Sequence, residues 1–165
     1  MTVFVVMGVS GSGKTTVGLA LAERLGCPFY DGDDFHPPEN VAKMASGTPL
    51  NDDDRYPWLV RLHSLIADHL ERGETAVLAC SALKKKYRDQ LRQGNDGVKF
   101  VHLQGSLNLI WERMVARQTH YMKADMLQSQ FDALEVPSPD NTLIINVEND
   151  VESIVTHIIQ NLNAR

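Results

Sequence analysis

A glycine-rich motif near the start of the chain constrains the fold more than any other feature. Residues 8–15 have the sequence GVSGSGKT and match G-x-x-x-x-G-K-[ST] at every fixed position. A β-branched apolar run, residues 2–7, precedes the motif, and Val17, Leu21 and Leu25 follow it at helical spacing. A glycine loop between a strand and a helix directs its own amides and the helix N-terminus at one anion. The motif therefore predicts a nucleotide-binding loop, with a plain glycine-rich turn as the alternative.

The residue types of this loop indicate what each of them contacts. Glycines allow the main chain to wrap closely around phosphate oxygens, so that successive N–H groups can donate to them. The Lys14 ammonium is expected to reach the β- and γ-phosphates, and the Thr15 hydroxyl is expected to bind Mg²⁺. ATP and Mg²⁺ are thus the expected cofactors. The residues predicted to bind the nucleotide are Gly8, Val9, Ser10, Gly11, Ser12, Gly13, Lys14, Thr15 and Thr16.

Strand-like and helix-like segments alternate along the chain. Short apolar runs predict strands at 2–7, 28–31, 74–80, 98–103 and 142–147. Helical spacing predicts helices at about 14–25, over a segment with Pro57 in its first turn that ends at Gly73, at 82–92, 107–117 and 123–134, and after a capping box of Asn149 and Glu152. This alternation predicts a three-layer α/β/α fold with a central parallel sheet. Residues 1–165 are expected to form one domain, with a substrate-binding insertion at about 32–56.

Composition excludes several classes of function. The chain has 165 residues, 43% hydrophobic and 22% charged, and a formal net charge of −5, so neither nucleic acid nor a membrane surface is an expected partner. The first residues lack a basic leader and a cleavage site, and no long apolar run predicts a membrane span. Two isolated cysteines, Cys27 and Cys80, predict no disulfide framework. A cytoplasmic location is expected.

Two classes of P-loop protein are disfavoured. A GTPase carries an Asn-Lys-x-Asp element for guanine, whereas residues 122–125 are MKAD and lack the asparagine. A motor-type ATPase ends its third strand in an acidic residue, whereas residues 76–80 are AVLAC and Ser81 follows. A small-molecule kinase remains, in which a carboxylate after the second strand accepts the proton of the attacking hydroxyl.

An acidic turn occupies that place. Residues 31–34 are DGDD and follow the second predicted strand directly. Asp33 is the candidate for the general base, and Asp31 for a carboxylate that supports magnesium or the local structure. A solvated acidic turn is the alternative for both, and Asp34 fits that alternative as well as it fits a function.

Three long stretches of sequence resemble one family of small kinases. MGVSGSGKT at residues 7–15, DGDDFHPPENVAKMASGTPLNDDDRYPWL at 31–59 and CSALKKKYRDQLR at 80–92 are similar to characteristic stretches of the gluconokinases. The resemblance implies transfer of the γ-phosphoryl group of ATP to D-gluconate, giving 6-phosphogluconate, and it is compatible with a homodimer. Shikimate kinases share the loop and an acidic D-x-D, but they carry a glycine-rich turn where this chain has residues 81–86, SALKKK. A kinase for another small acid or polyol, and a nucleotide-binding regulator without turnover, stay open as alternatives.

Gluconate has a carboxylate and several hydroxyls, so its pocket needs a cation and hydrogen-bonding groups. Lys84 and Arg88 share one helical face and oppose the helix dipole, which suggests that they serve a ligand. Arg55 is a third candidate for the carboxylate, with a salt bridge to the preceding aspartates as its alternative. The resemblance places His36 in the insertion, where it could bind an acceptor hydroxyl. For the lysines and Arg88 the alternative is an exposed basic surface.

A short lid over the nucleotide is expected at about 117–124. Small kinases commonly close such a segment over ATP, and an arginine from it can stabilise charge on the transferring phosphoryl group. Arg117 is predicted for that role, and Arg113, one helical turn earlier, for contact with the nucleotide. An ordinary surface salt bridge is the alternative for Arg113.

Overall fold

The computed structural model describes residues 2–117 and 124–163, and a five-stranded parallel sheet lies at its centre. The strands are β1 (Val3–Met7), β2 (Phe29–Asp31), β3 (Ala76–Ala79), β4 (Val98–Gln104) and β5 (Thr142–Asn146), in the order β2-β3-β1-β4-β5. The helices are α1 (Lys14–Leu25), α2 (Pro38–Ala45), α3 (Asp52–Glu71), α4 (Lys85–Arg92), α5 (Leu107–Arg117), α6 (Ala124–Ala133) and α7 (Val151–Asn163). The predicted α/β fold with a central parallel sheet is confirmed.

The sheet has helices on both faces because β1 is apolar on both faces. Val3, Val5 and Met7 pack with α3 and α4, whereas Phe4 and Val6 pack with α1 and α7. All five side chains of β1 are at most 2% exposed. A strand buried in this way needs no polar face, which explains why its sequence is a continuous apolar run.

The register brings three loops to one edge of the sheet. Val6 of β1 and Asp31 of β2 both pair with Ala79 of β3. Because every pairing is parallel, the loops that follow β1, β2 and β3 all leave at the carboxyl edge. The glycine loop, the acidic turn and the residues before α4 therefore meet at this edge.

The prediction that Pro57 lies in the first turn of a helix is wrong, because α3 begins five residues earlier, at Asp52. The Asn51 side chain accepts from the Asp54 amide at 2.8 Å, and the Asp54 carboxylate accepts from the Asn51 amide at 2.9 Å. This capping box satisfies two N-terminal donors of the helix. Pro57 consequently lies inside the helix, in its second turn, where it cannot donate the usual hydrogen bond to the Asp53 carbonyl.

Two other helix starts differ from their predictions. Helix α4 begins at Lys85 instead of Ala82, because Ala82 has φ 43°, a left-handed conformation that no α-helix can contain. At α7, Asp150 replaces Asn149 as the cap, since its carboxylate accepts from the Ser153 amide at 2.7 Å.

None of the helices in residues 2–117 and 124–163 is long and apolar enough to span a membrane.

Candidate active site

The glycine loop wraps between β1 and α1 as the motif requires. Gly13 precedes the first turn of α1 with φ 99°, which a residue with a side chain rarely adopts. A Cβ atom at Gly8 would lie 2.9 Å from the Leu103 carbonyl oxygen, so this position too requires glycine. The glycines thus allow the close backbone path of the loop at the carboxyl edge of the sheet.

The Lys14 side chain lies across the loop. Its Nζ atom donates to the carbonyl oxygens of Gly8 at 3.1 Å and Val9 at 3.0 Å. Burial lowers the pKa of Lys14, while the nearby charges of Asp33 and Asp31 act in the opposite direction. The structure therefore brings the predicted phosphate-binding lysine and the predicted base into one electrostatic environment.

The hydroxyl groups near the loop fit a phosphate and a magnesium ion. The Ser12 hydroxyl is buried and has no hydrogen-bond partner among the described residues, whereas Thr15 and Thr16 are exposed on the first turn of α1. No group of three His, Cys, Asp or Glu side chains within residues 2–117 and 124–163 could hold a metal by itself. Mg²⁺ typically binds through one or two protein ligands plus phosphates, which Thr15 with Asp31 nearby could supply.

A glutamine that the sequence did not single out contacts the loop. The Gln130 side chain of α6 accepts a hydrogen bond from the Ser10 amide at 2.6 Å. Ser10 is one of the residues predicted to donate to phosphate, so the glutamine oxygen holds a donor that the nucleotide would use. Helix α6 follows the predicted lid along the chain, and Gln130 connects it to the phosphate site.

We expect Gln130→Ala to tighten the binding of MgADP by about two- to tenfold, because a hydrogen bond of about 0.5–1.5 kcal/mol no longer competes for the Ser10 amide. Titration calorimetry measures the dissociation constant directly. Gln128→Ala is the matched control, since Gln128 is exposed on the same helix and bonds only to Asp132 among its described neighbours. Weaker binding in Gln130→Ala would mean that the glutamine assists the nucleotide.

The acidic turn after β2 is held by its own backbone and by α3. The Asp31 carboxylate accepts from the Asp33 amide at 3.0 Å, and the Trp58 indole donates to the Gly32 carbonyl at 2.7 Å. The pKa of Asp33 is raised, first because neighbouring protein atoms remove part of the water around the carboxylate, and then by the negative charge of Asp31. Because the Asp33 side chain is 86% exposed, water limits this rise. The exposed Asp33 carboxylate can accept a proton from a hydroxyl placed beside it.

His36 is buried beside this turn and its orientation is fixed. Its ring stacks on Trp58 with centroids 4.4 Å apart, and the Asn40 amide nitrogen lies 3.2 Å from its Nδ1 atom. The same nitrogen donates to the Asp54 carbonyl at 2.8 Å, so it is a donor toward His36 as well. Burial, followed by the charge of Arg55, lowers the pKa of His36. The neutral ring then carries its proton on Nε2, which lies 4.0 Å from the Asp33 carboxylate.

A cluster of cations surrounds one carboxylate at the start of α3. The Asp52 carboxylate contacts Lys84 at 3.6 Å and forms hydrogen bonds with Lys86 and the Tyr87 hydroxyl. Arg55 donates to the same hydroxyl at 3.2 Å. We call Arg55, Lys84, Lys86 and Tyr87 the cation cluster. It contains two of the three cations predicted for the gluconate carboxylate.

Arg88, the third of these cations, is not in the cluster. Its side chain is 3% exposed, and its guanidinium donates to the carbonyls of Ala82 at 2.8 Å, Leu83 at 3.0 Å and Glu135 at 2.7 Å. The Ala82 and Glu135 carbonyls have no other hydrogen-bond donor among the described residues, whereas the Leu83 carbonyl also accepts from the Glu135 amide at 2.8 Å. This geometry indicates a structural role for Arg88, because the chain turns at Ala82 and directs this face of α4 inward; its predicted role as an acceptor ligand stays a prediction.

We expect Arg88→Ala to lower the free energy of unfolding by about 2 kcal/mol or more, because the Ala82 and Glu135 carbonyls lose their donor and each such loss costs about 1–3 kcal/mol. Urea denaturation followed by circular dichroism measures the change. Lys85→Ala on the same helix is the control, since its exposed pair with Asp89 contributes about 0.5 kcal/mol at most. Unchanged stability together with a raised KM would return Arg88 to the list of acceptor ligands.

The two arginines predicted near the lid are only partly described. Arg113 lies on α5, half-buried, with no hydrogen bond or ion pair to a residue within 2–117 or 124–163. Arg117 is the last residue of α5, and its side chain lies outside what the structure describes. Residues 118–123, most of the predicted lid, also lie outside the described residues. The predicted roles of Arg113, Arg117 and the lid therefore stay predictions.

Comparison with known proteins identifies the family. A family model described as shikimate kinase matches residues 10–163. A probable gluconokinase of Xenopus tropicalis is 47% identical over 94% of this chain and 90% of its own length. The thermoresistant gluconokinase of Escherichia coli K12 is 43% identical, covering 96% of this chain and 91% of that protein. The chain belongs to the gluconokinase family.

A solved structure agrees with this membership. The crystal structure of a gluconokinase from Sinorhizobium meliloti 1021 superimposes with a TM-score of 0.87 at 43% identity, covering 98% of this chain and 95% of that one. The match to the shikimate kinase model agrees with the class of small P-loop kinases that the glycine loop predicted. The resemblance stated from the sequence is therefore confirmed.

Proposed function

We propose that this protein is a gluconokinase that transfers the γ-phosphoryl group of ATP to D-gluconate, giving 6-phospho-D-gluconate and ADP. The observation that carries the proposal is the meeting of three features at one sheet edge. These are the glycine loop with Lys14, the acidic turn with Asp33, and the cation cluster on α3 and α4. Gluconokinases more than 40% identical over most of the chain support the choice of acceptor.

The chemical step assigns a role to each feature. The acceptor hydroxyl oxygen forms a bond to the γ-phosphorus, the bond from that phosphorus to the β-phosphate oxygen breaks, and ADP leaves. The exposed Asp33 carboxylate accepts the hydroxyl proton, and Lys14 stabilises negative charge on the phosphates. Mg²⁺ on Thr15, supported by Asp31, would neutralise phosphate charge. Neutral His36 carries its proton on Nε2 and would donate it to an acceptor hydroxyl.

The acceptor would lie along the surface that runs from Asp33 past His36 and Asn40 to the cation cluster; we call this surface the wall. Asn40 connects the two ends of this wall, because it contacts both His36 and the Asp54 carbonyl next to Arg55. A linear acid with a carboxylate at one end and a reactive hydroxyl at the other matches this arrangement of charges. Arg55 and Lys84 are the proposed carboxylate ligands.

A panel of acceptors tests the proposal. ADP release is measured by a coupled assay with MgATP and D-gluconate, shikimate, glycerate or a neutral sugar, with a control that lacks an acceptor. Turnover with gluconate far above the others would support the assignment. Preference for shikimate, the acceptor that the matching family model suggests as the second candidate, would overturn the choice of acceptor but not the reaction.

The assembly and location are part of the same proposal. We propose that the protein forms a homodimer, which the family resemblance supports. We also propose that it is located in the cytoplasm, because the two free thiols Cys27 and Cys80 suit a reducing compartment. Light scattering on the purified protein would decide between a dimer and a monomer.

A further inference from the structure

One carboxylate at the start of α3 has more cationic partners than a local structural role requires. Lys86, the Tyr87 hydroxyl and Lys84 all contact the two oxygens of Asp52. Hydrogen bonds from Lys86 and Tyr87 hold the pKa of this carboxyl well below its usual range. The Asp52 carboxylate therefore lies where the donors of the cation cluster would bind an anion.

The cap of α3 does not need this carboxylate. Asn51 and Asp54 form the capping box, and Asp52 contributes no hydrogen bond to it. The Asp52 side chain is also 45% exposed, and those of Lys84 and Lys86 are 33% and 58% exposed, so an anion from solvent can approach the same donors. If Asp52 turned away, its charge would still lie at the N-terminus of a long helix, where the dipole stabilises it.

We propose that Asp52 is an internal stand-in for the carboxylate of the acceptor, which displaces it from Lys84, Lys86 and Tyr87 on binding. The idea rests on the proposed gluconokinase activity and adds a specificity-determining residue to it. An acid that enters the site regains ionic hydrogen bonds when it breaks those of Asp52, whereas a neutral polyol of the same length breaks them without replacement. Asp52 would thus raise the KM for every acceptor and reject neutral ones most strongly.

Asp52→Asn tests this competition. Without the competing charge, the KM for gluconate should fall by about three- to tenfold while kcat stays within about twofold, the range expected for partly exposed ion pairs. Acetate, a bare carboxylate, should inhibit the variant at concentrations about three- to tenfold lower than the wild type. Asp53→Asn is the matched control, because Asp53 lies in the same turn, is exposed and forms no ion pair with a described residue.

The outcomes separate the two proposals. A raised or unchanged KM in Asp52→Asn, with normal turnover of gluconate by the wild type, would mean that Asp52 only positions the cations and would overturn the stand-in role alone. The same fall of KM in Asp53→Asn would also overturn it, since a general change of charge would then explain the effect. No turnover of gluconate by the wild-type protein would overturn both.

Discussion

Replacing Asp33 with asparagine is expected to lower kcat by about 10²- to 10⁴-fold, the range that a positioned general base contributes. The amide preserves the size of the side chain but cannot take the proton of the attacking hydroxyl. The KM values for ATP and gluconate should change little, because the loss falls on the transition state. Steady-state kinetics in the coupled ADP assay measures both constants. A nucleotide-binding regulator, the non-catalytic alternative, would show no such dependence.

Asp34→Asn is the control for this variant. Asp34 is the next exposed carboxylate in the same turn, and it forms no ion pair with any residue in the described ranges. We expect its kcat to stay within about twofold of the wild type, as for most exposed substitutions. Equal losses in the two variants would argue that the charge of the turn matters and that Asp33 is not the base.

The pH profile provides a second signature of Asp33. A base works only when it is unprotonated, so kcat/KM should fall as the pH drops through the Asp33 pKa. Because this pKa is raised, the acid limb should lie at a higher pH than that of an ordinary aspartate. The residual activity of Asp33→Asn should lose this limb.

The parts of the site that could be predicted from the sequence are local in the chain. Residues 8–15 form a contiguous motif whose backbone path depends on its own glycines, and the acidic turn follows β2 directly. Their meeting at one edge follows from the parallel sheet, which alternation of strands and helices predicts. The start of α3 could also have been predicted, since Asn51 and Asp54 have capping-box spacing and only the presence of Pro57 favoured a later start.

The contacts that sequence reasoning missed join residues far apart in the chain. Gln130 meets Ser10 across 120 positions, and Asp52 meets Lys86 across 34. No periodic pattern marks such pairs, because they depend on how α6 and α3 dock against the sheet. Lys84 and Arg88 show the same limit: their helical spacing is equivalent, but the left-handed Ala82 delays the helix, so that Lys84 precedes α4 and Arg88 turns inward.

Replacing Lys14 with methionine is expected to lower kcat by about 10²- to 10³-fold, since removing one preorganised donor to developing charge has an effect of that size. Methionine keeps the unbranched apolar stem of the side chain and is only one atom shorter, so the loop should retain its path while losing the charge that contacts Gly8 and Val9. Lys85→Met, an exposed lysine on α4, should retain normal turnover.

Because phosphate affinity and the chemical step both use this charge, MgADP binding by calorimetry should weaken along with kcat in Lys14→Met. Thermal unfolding without nucleotide should remain close to the wild type, because a partly buried ammonium no longer has to be desolvated. Turnover at the wild-type rate in Lys14→Met would contradict the assignment of residues 8–15 as the phosphoryl-transfer loop. A collapse of thermal stability would instead show that Lys14 holds the loop together through the two carbonyls, and the loss of activity would then follow from misfolding of the loop.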